Sequence, residues 1–242
     1  MVSMNNKINL KNLEQELLGC RNIEKAKILA RFFKTRKGEY GEGDFFLGIT
    51  VPISRQIARK YQELPLLEVA KLFKNKYHEA RLVALLILVH KFKQAKTEEE
   101  KKKIYNFYLT QTKYINNWDL VDLSASYIVG NYLIDKNKKI LEKLAKSKNL
   151  WEKRIAVIST FAFIYKGESE WTFKIIEMLM KDKHNLIHKA CGWMLREVGK
   201  RVSEKKLERF LDKNVKIMPR TMLRYAIERL PESKRRYYLK LK

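Results

Sequence analysis

HEARLVALLILVHKF, residues 78–92, is the stretch on which the fold turns. It opens on a polar turn and runs apolar from Leu82 to Val89, without Gly, Pro or a sustained two-residue alternation. That pattern predicts a largely apolar helix, and the run is far too short to span a bilayer. Working outward, the same design returns in NWDLVDLSASYIVGNYL (117–133), LWEKRIAVISTFAFIY (150–165), LIHKACGWMLREVGKR (186–201) and MPRTMLRYAIERLP (218–231). Each begins with a polar, basic or capping turn and continues as an apolar helix. Arg81, Asp119, Arg154 and Lys189 hold equivalent places about 35 to 38 residues apart. A period of that size fits stacked helix pairs, and stacking places equivalent early-helix positions along one concave face. The predicted class is all-α, a helical-repeat solenoid (an α-α superhelix) with a concave basic face.

The remaining segments agree. Only 9 Gly and 4 Pro occur in 242 residues, which disfavours a many-turned β protein. Ile28, Leu29, Phe32 and Phe33 share a helix face, as do Leu207, Phe210 and Leu211. Thr97 with three following glutamates, and Ser203-Glu204 after Gly199, are helix starts. Pro52, Pro65, Pro219 and Pro231 fall at segment edges. No Gly-, Ser- or Pro-rich linker divides the chain, so residues 1–242 read as one domain. Residues 34–52, KTRKGEYGEGDFFLGITVP, break the pattern with four of the nine glycines. They match no phosphate-binding spacing and read as an ordered loop. Its aromatics Tyr40, Phe45 and Phe46 form either a packed plug or a groove-contacting element.

Lys+Arg number 52 against 27 Asp+Glu, a formal net charge of +25. Such an excess suits a polyanion, nucleic acid above all. The plainer alternative is a lysine-rich surface without a partner. Cys20 and Cys191 are far apart and form no metal motif, which predicts a reduced, cytoplasmic setting. MVSMNNKINL (1–10) lacks the apolar core of a signal peptide. HExxH and GxSxG are absent. His188 and Cys191 are three apart, and His184 and His188 four apart; both pairs read as structural, and no metal or organic cofactor is expected.

What remains is one carboxylate among aromatics. Trp118 and Asp122 are four apart and point the same way on a helix. Asp119 lies on another face, at the helix start. Arg154 follows one repeat later and Trp193 two. On a shared face these residues would bind a positively charged substrate beside phosphates. Indoles attract cations, a carboxylate stabilises an oxocarbenium-like sugar, and Arg154 holds a backbone phosphate. The competing reading makes the tryptophans core and Asp122 a helix-to-helix acceptor.

The segments ARFFKTRKGEYGEGDFFLGITVP, NNWDLVDLSASYIVG, LWEKRIAVIST, HKACGWMLREVGK and MPRTMLRYAIERL, in this order over about residues 20–232, resemble the AlkD-like DNA alkylation repair family. These are glycosylases built from HEAT-like repeats. The resemblance implies hydrolysis of the N-glycosidic bond of cationic purines such as N3-methyladenine and N7-methylguanine, without base flipping. Its WDxVD motif supplies Trp118 and Asp122, its RxA motif Arg154, and its GWxLRE motif Trp193. Lys153, Lys189 and Arg196 are the accompanying DNA contacts. Phe32 stands where catalytic members carry a tyrosine, and those members lack the GEYGEGD loop. Phe32 and Tyr40 are therefore the candidate cleft aromatics. The expected substrate is double-stranded DNA with alkylated bases, handled by a monomer with no membrane or obligate protein partner. No Schiff-base lysine, and so no strand cleavage, is expected. The rivals are a non-catalytic scaffold for branched or damaged DNA and a protein-interaction solenoid with solubilising lysines.

Overall fold

The computed structural model describes residues 8–242, so most of the segment read for a leader lies outside the described residues. Among the described residues nearly everything ordered is helix, and the one β feature is an isolated bridge between Phe45 and Tyr77. No helix among them is long and apolar enough to cross a membrane. The chain divides into two compact units at Ser124/Ala125.

The first unit holds α1 (Leu10–Gly19), α2 (Ile23–Phe32), α3 (Val51–Lys60), α4 (Leu66–Phe73), α5 (His78–Gln94), α6 (Glu98–Thr110) and α7 (Trp118–Asp122). Asparagine side chains cap α1, α2 and α7, and Thr97 with Glu100 forms the full capping box that starts α6. The apolar run makes α5 the central helix of this unit. It is buried without a break from His78 to Val89 and packs against α3, α4 and α6. Helix α2 departs from expectation. Its apolar face buries no residue, and Ile28 and Phe32 are 65% and 59% exposed. That face lines an open cavity instead of joining the core.

The second unit holds α8 (Asn131–Leu133), α9 (Lys139–Ala145), α10 (Leu150–Ser159), α11 (Phe161–Tyr165), α12 (Glu170–Leu179), α13 (Asn185–Arg201), α14 (Glu204–Asn214), α15 (Arg220–Ala226) and α16 (Glu232–Leu241). Helix α13 is its centre, packed against α10, α14 and α15. Gly192 permits the close approach of α13 to α15: a Cβ there would lie 2.4 Å from the Met222 carbonyl oxygen.

Two segments read as continuous helices are broken, and hydroxyl groups account for both breaks. Residues 117–133 split into α7, a turn, a π-helical turn at Ser126–Gly130 and α8. The Ser124 hydroxyl donates to the Leu120 carbonyl at 2.5 Å, competing with the helical ladder. Residues 150–165 break at Thr160, whose hydroxyl donates to Val157 O at 2.7 Å, directly after Ser159 does the same to Ile155 O at 2.6 Å.

Candidate active site

A cavity of about 570 Å³ opens in the first unit, walled by α2, the 46–52 segment, α5 and α7. Asn117 caps α7 by accepting from Trp118 N at 2.9 Å, which fixes the backbone where the indole leaves it. The indole is half-buried and stacks on Phe33 (centroids 5.1 Å apart, planes at 24°), while exposed Phe32 meets it edge-on at 5.8 Å. The stack continues from Phe33 to Phe46 at 5.1 Å and from Phe46 to His78 at 4.5 Å. Asp122, one turn after Trp118, is half-buried in the same wall. Most of the surface the cavity presents is apolar, with Lys25, His78, Glu79 and Asp119 also bordering it.

Behind the aromatic wall lies a buried charged cluster. His78 Nδ1–H donates to Asp44 at 2.9 Å and Nε2–H to Asp119 at 2.8 Å. Arg81 also bonds Asp44, and its Nη1 donates to Asn75 O at 2.6 Å. Burial opposes charge on His78, but Asp119 and Asp44 outweigh it and lift the imidazole pKa to about 9. Burial would likewise raise Asp44, but His78 and Arg81 hold it below the usual carboxylate range. The next residue, Glu79, accepts from the backbone N–H groups of Leu47, Gly48 and Ile49 at 2.9, 2.8 and 3.1 Å. The loop is thus clamped to the start of α5 at both Asp44 and 47–49. Gly48 is indispensable to that path: its φ is +85°, and a Cβ would lie 2.1 Å from Asn22 O.

This arrangement revises two expectations. Asp119 does stand in the first turn of α7, but its carboxylate is engaged by His78 and not left to the helix end alone. It is sealed against His78 and lies behind the same cavity. The loop aromatics divide their roles: Phe46 is buried in the stack, Phe45 is exposed, and half-buried Tyr40 is not part of the cavity wall. Phe32 does line the cavity. Sequence reasoning missed Asp44, His78, Glu79 and Phe33. The available signals were the charged His-Glu pair heading the most apolar helix, and the aspartate closing GEYGEGD.

The other expected residues lie in the second unit. Trp193 on α13 is half-buried, 5.8 Å from Phe161. Arg154 is only 5% exposed, and its Nη1 donates to Leu186 O at 2.7 Å, bracing α10 against α13. Lys153 pairs with Asp182 at 2.6 Å. Arg196 pairs with Glu228 and lies 3.7 Å from Glu197, while Lys189 is half-buried on α13. The His188 ring bonds the Asp182 carbonyl at 2.5 Å, and burial pushes the Cys191 thiol up, so the two do not form a nucleophilic pair. Among the described residues no three His, Cys, Asp or Glu side chains are grouped to hold a metal ion.

Residues 13–230, spanning both units, match the family described as DNA alkylation repair enzyme. No curated protein matches the chain. Among solved structures the chain is similar to "Predicted DNA alkylation repair enzyme from Enterococcus faecalis", with a TM-score of 0.68 at 18% identity, covering 88% of this chain and 97% of that one. That likeness supports the helical fold, and the family match goes further: the chain belongs to the DNA alkylation repair enzyme family.

Proposed function

We propose that this protein is a monofunctional DNA glycosylase that removes cationic alkylated purines, of the N3-methyladenine and N7-methylguanine type, from double-stranded DNA. The observation carrying this reading is a carboxylate, Asp122, set with Trp118 and Phe32 in the wall of a mostly apolar cavity. A base alkylated to a cation needs no further protonation to leave. The C1′–N bond breaks with its electron pair going to the base, which departs as a neutral purine. The deoxyribose becomes oxocarbenium-like, and the Asp122 carboxylate opposes that charge. Water then adds to C1′, losing a proton to solvent, and leaves an abasic site in an uncut strand. Trp118 offers a ring face to the cationic sugar and base. Because no acid has to reach the base, the reaction proceeds without flipping it into a pocket.

In the second unit, Trp193 is a further substrate-contacting ring, and Lys153, Lys189 and Arg196 serve the phosphates. Arg154 supports that surface by fixing α13 to α10. The family match runs across the division at Ser124/Ala125, which supports the two units acting as one domain.

The test is release of free base from DNA containing N7-methylguanine. Wild type is expected to release it, and Asp122→Asn to do so about 100-fold more slowly or worse, the usual cost of losing an electrostatic stabiliser. Equal rates would remove Asp122 from the chemistry. A wild type that binds the DNA but releases nothing would leave the non-catalytic binder as the reading.

A further inference from the structure

Trp193 does not stand alone on its surface. Its ring lies 5.8 Å from that of Phe161, and Phe161 lies 4.8 Å from Tyr165, one turn further along α11. Arg201, two turns beyond Trp193 on α13, places its guanidinium 4.4 Å from the centre of the Tyr165 ring and 5.6 Å from that of Phe161. Glu197 holds that guanidinium, accepting from Nε at 2.7 Å. Arg201 is therefore fixed by a carboxylate and two rings and is not sweeping through solvent. Despite the guanidinium over it, Tyr165 remains 61% exposed.

A single exposed aromatic is common on a protein surface, but Tyr165 is held in place by the guanidinium beside it. Here it is pre-ordered by a cation and left open, the combination that receives a flat π system at little entropic cost. The partner implied by a chain of net charge +25 carries phosphates, and its flat π systems are nucleobases. In a paired duplex those faces are already stacked on one another, so only an unpaired base can present one. A ring and an adjacent guanidinium also suit any of the bases, because stacking reads no hydrogen-bonding edge.

We infer that Phe161, Tyr165 and Arg201 extend the Trp193 surface into a stacking platform for an unpaired nucleobase of DNA. The inference rests on the DNA-binding part of the proposed function and does not require base release. It assigns the second unit a task of its own, recognition of a base lacking a partner in the helix.

The test uses two unalkylated duplexes, one fully paired and one carrying a single bulged fluorescent aminopurine, with the full chain. Wild type is expected to prefer the bulged duplex about tenfold, the size of one base–ring stack, and to quench the probe. Tyr165→Ala and Tyr165→Leu are expected to lose both preference and quenching while binding the paired duplex as before. Tyr165→Phe is expected to retain both. Equal affinity of wild type for the two duplexes, or undiminished quenching by Tyr165→Leu, overturns the platform. If base release persists in that case, the glycosylase reading stands and only the platform falls. If neither duplex binds at all, both fall together.

Discussion

His78 is charged at neutral pH because two carboxylates grip it, and this one side chain ties the site to solution conditions. Its folded pKa of about 9 lies above the ordinary 6.5, so the folded state holds the proton more tightly than the unfolded chain. The resulting stability is complete below about pH 6.5, declines above it, and is gone once pH has passed about 9. At about 1.4 kcal/mol per pH unit, a few kcal/mol are at stake. Urea unfolding of wild type is therefore expected to show falling stability across that window. His78→Gln is expected to be less stable at pH 6 and to lose most of that slope. A wild-type curve that is flat from pH 6.5 to 9 would mean that the imidazole is neutral in the folded protein. None of this was legible in the sequence. Asp44, His78 and Asp119 lie 34 and 41 positions apart, and no helical or strand period relates them. Trp118 and Asp122 were legible, because a separation of four puts two side chains on one helix face whatever the tertiary structure.

At the scale of elements, an unbroken apolar run located α5, which is buried along most of its length, and an apolar face located α13, which buries that face against its neighbours. Periodicity failed at α2, where the apolar face borders a cavity: it reports that a face is apolar and not what covers it. It failed again at 123–125 and 160, since a serine or threonine inside an apolar run is compatible with helix until its hydroxyl takes a carbonyl from the ladder. Glycines inside helices were the underused signal. Gly192 sits within α13 although glycine weakens a helix, and the compensation is contact with α15. A Cβ at that position would meet Met222 O at 2.4 Å and the Tyr225 Cβ at 2.5 Å. Backbone cannot swing aside as a long side chain can, so Gly192→Ala is expected to destabilise despite alanine's better helix propensity, by about 1–3 kcal/mol. Thermal unfolding decides it, and a gain in Tm would show that α13 and α15 separate freely.

For the whole molecule, the deciding quantity is the charge surplus. In the second unit lysines bridge neighbouring helices to carboxylates: Lys174 to Glu142, Lys206 to Glu170, Lys213 to Glu177 and Lys234 to Glu204, at 2.6–3.1 Å. Such exposed pairs add little stability, 0 to about 1 kcal/mol each. Every pair is neutral as a unit, so pairing leaves the net +25 intact and available to a polyanion. The two explanations of that surplus, a DNA surface or a solubilising coat, respond differently to salt. If phosphates are neutralised, each contact releases condensed counterions, and the logarithm of affinity falls linearly with the logarithm of salt concentration. About six contacts would cost roughly 1,000-fold between 50 and 200 mM. A coat that merely solubilises has few phosphate contacts to lose, so its weak duplex binding would scarcely change over that range. The full chain is expected to follow the steep line on an unmodified duplex. Arg154→Lys should leave the slope nearly unchanged, since that side chain is buried and braces Leu186, whereas Lys189→Ala should reduce it by about one contact. A shallow line for wild type would return the lysines to solubility and remove DNA as the partner, whatever the cavity in the first unit holds.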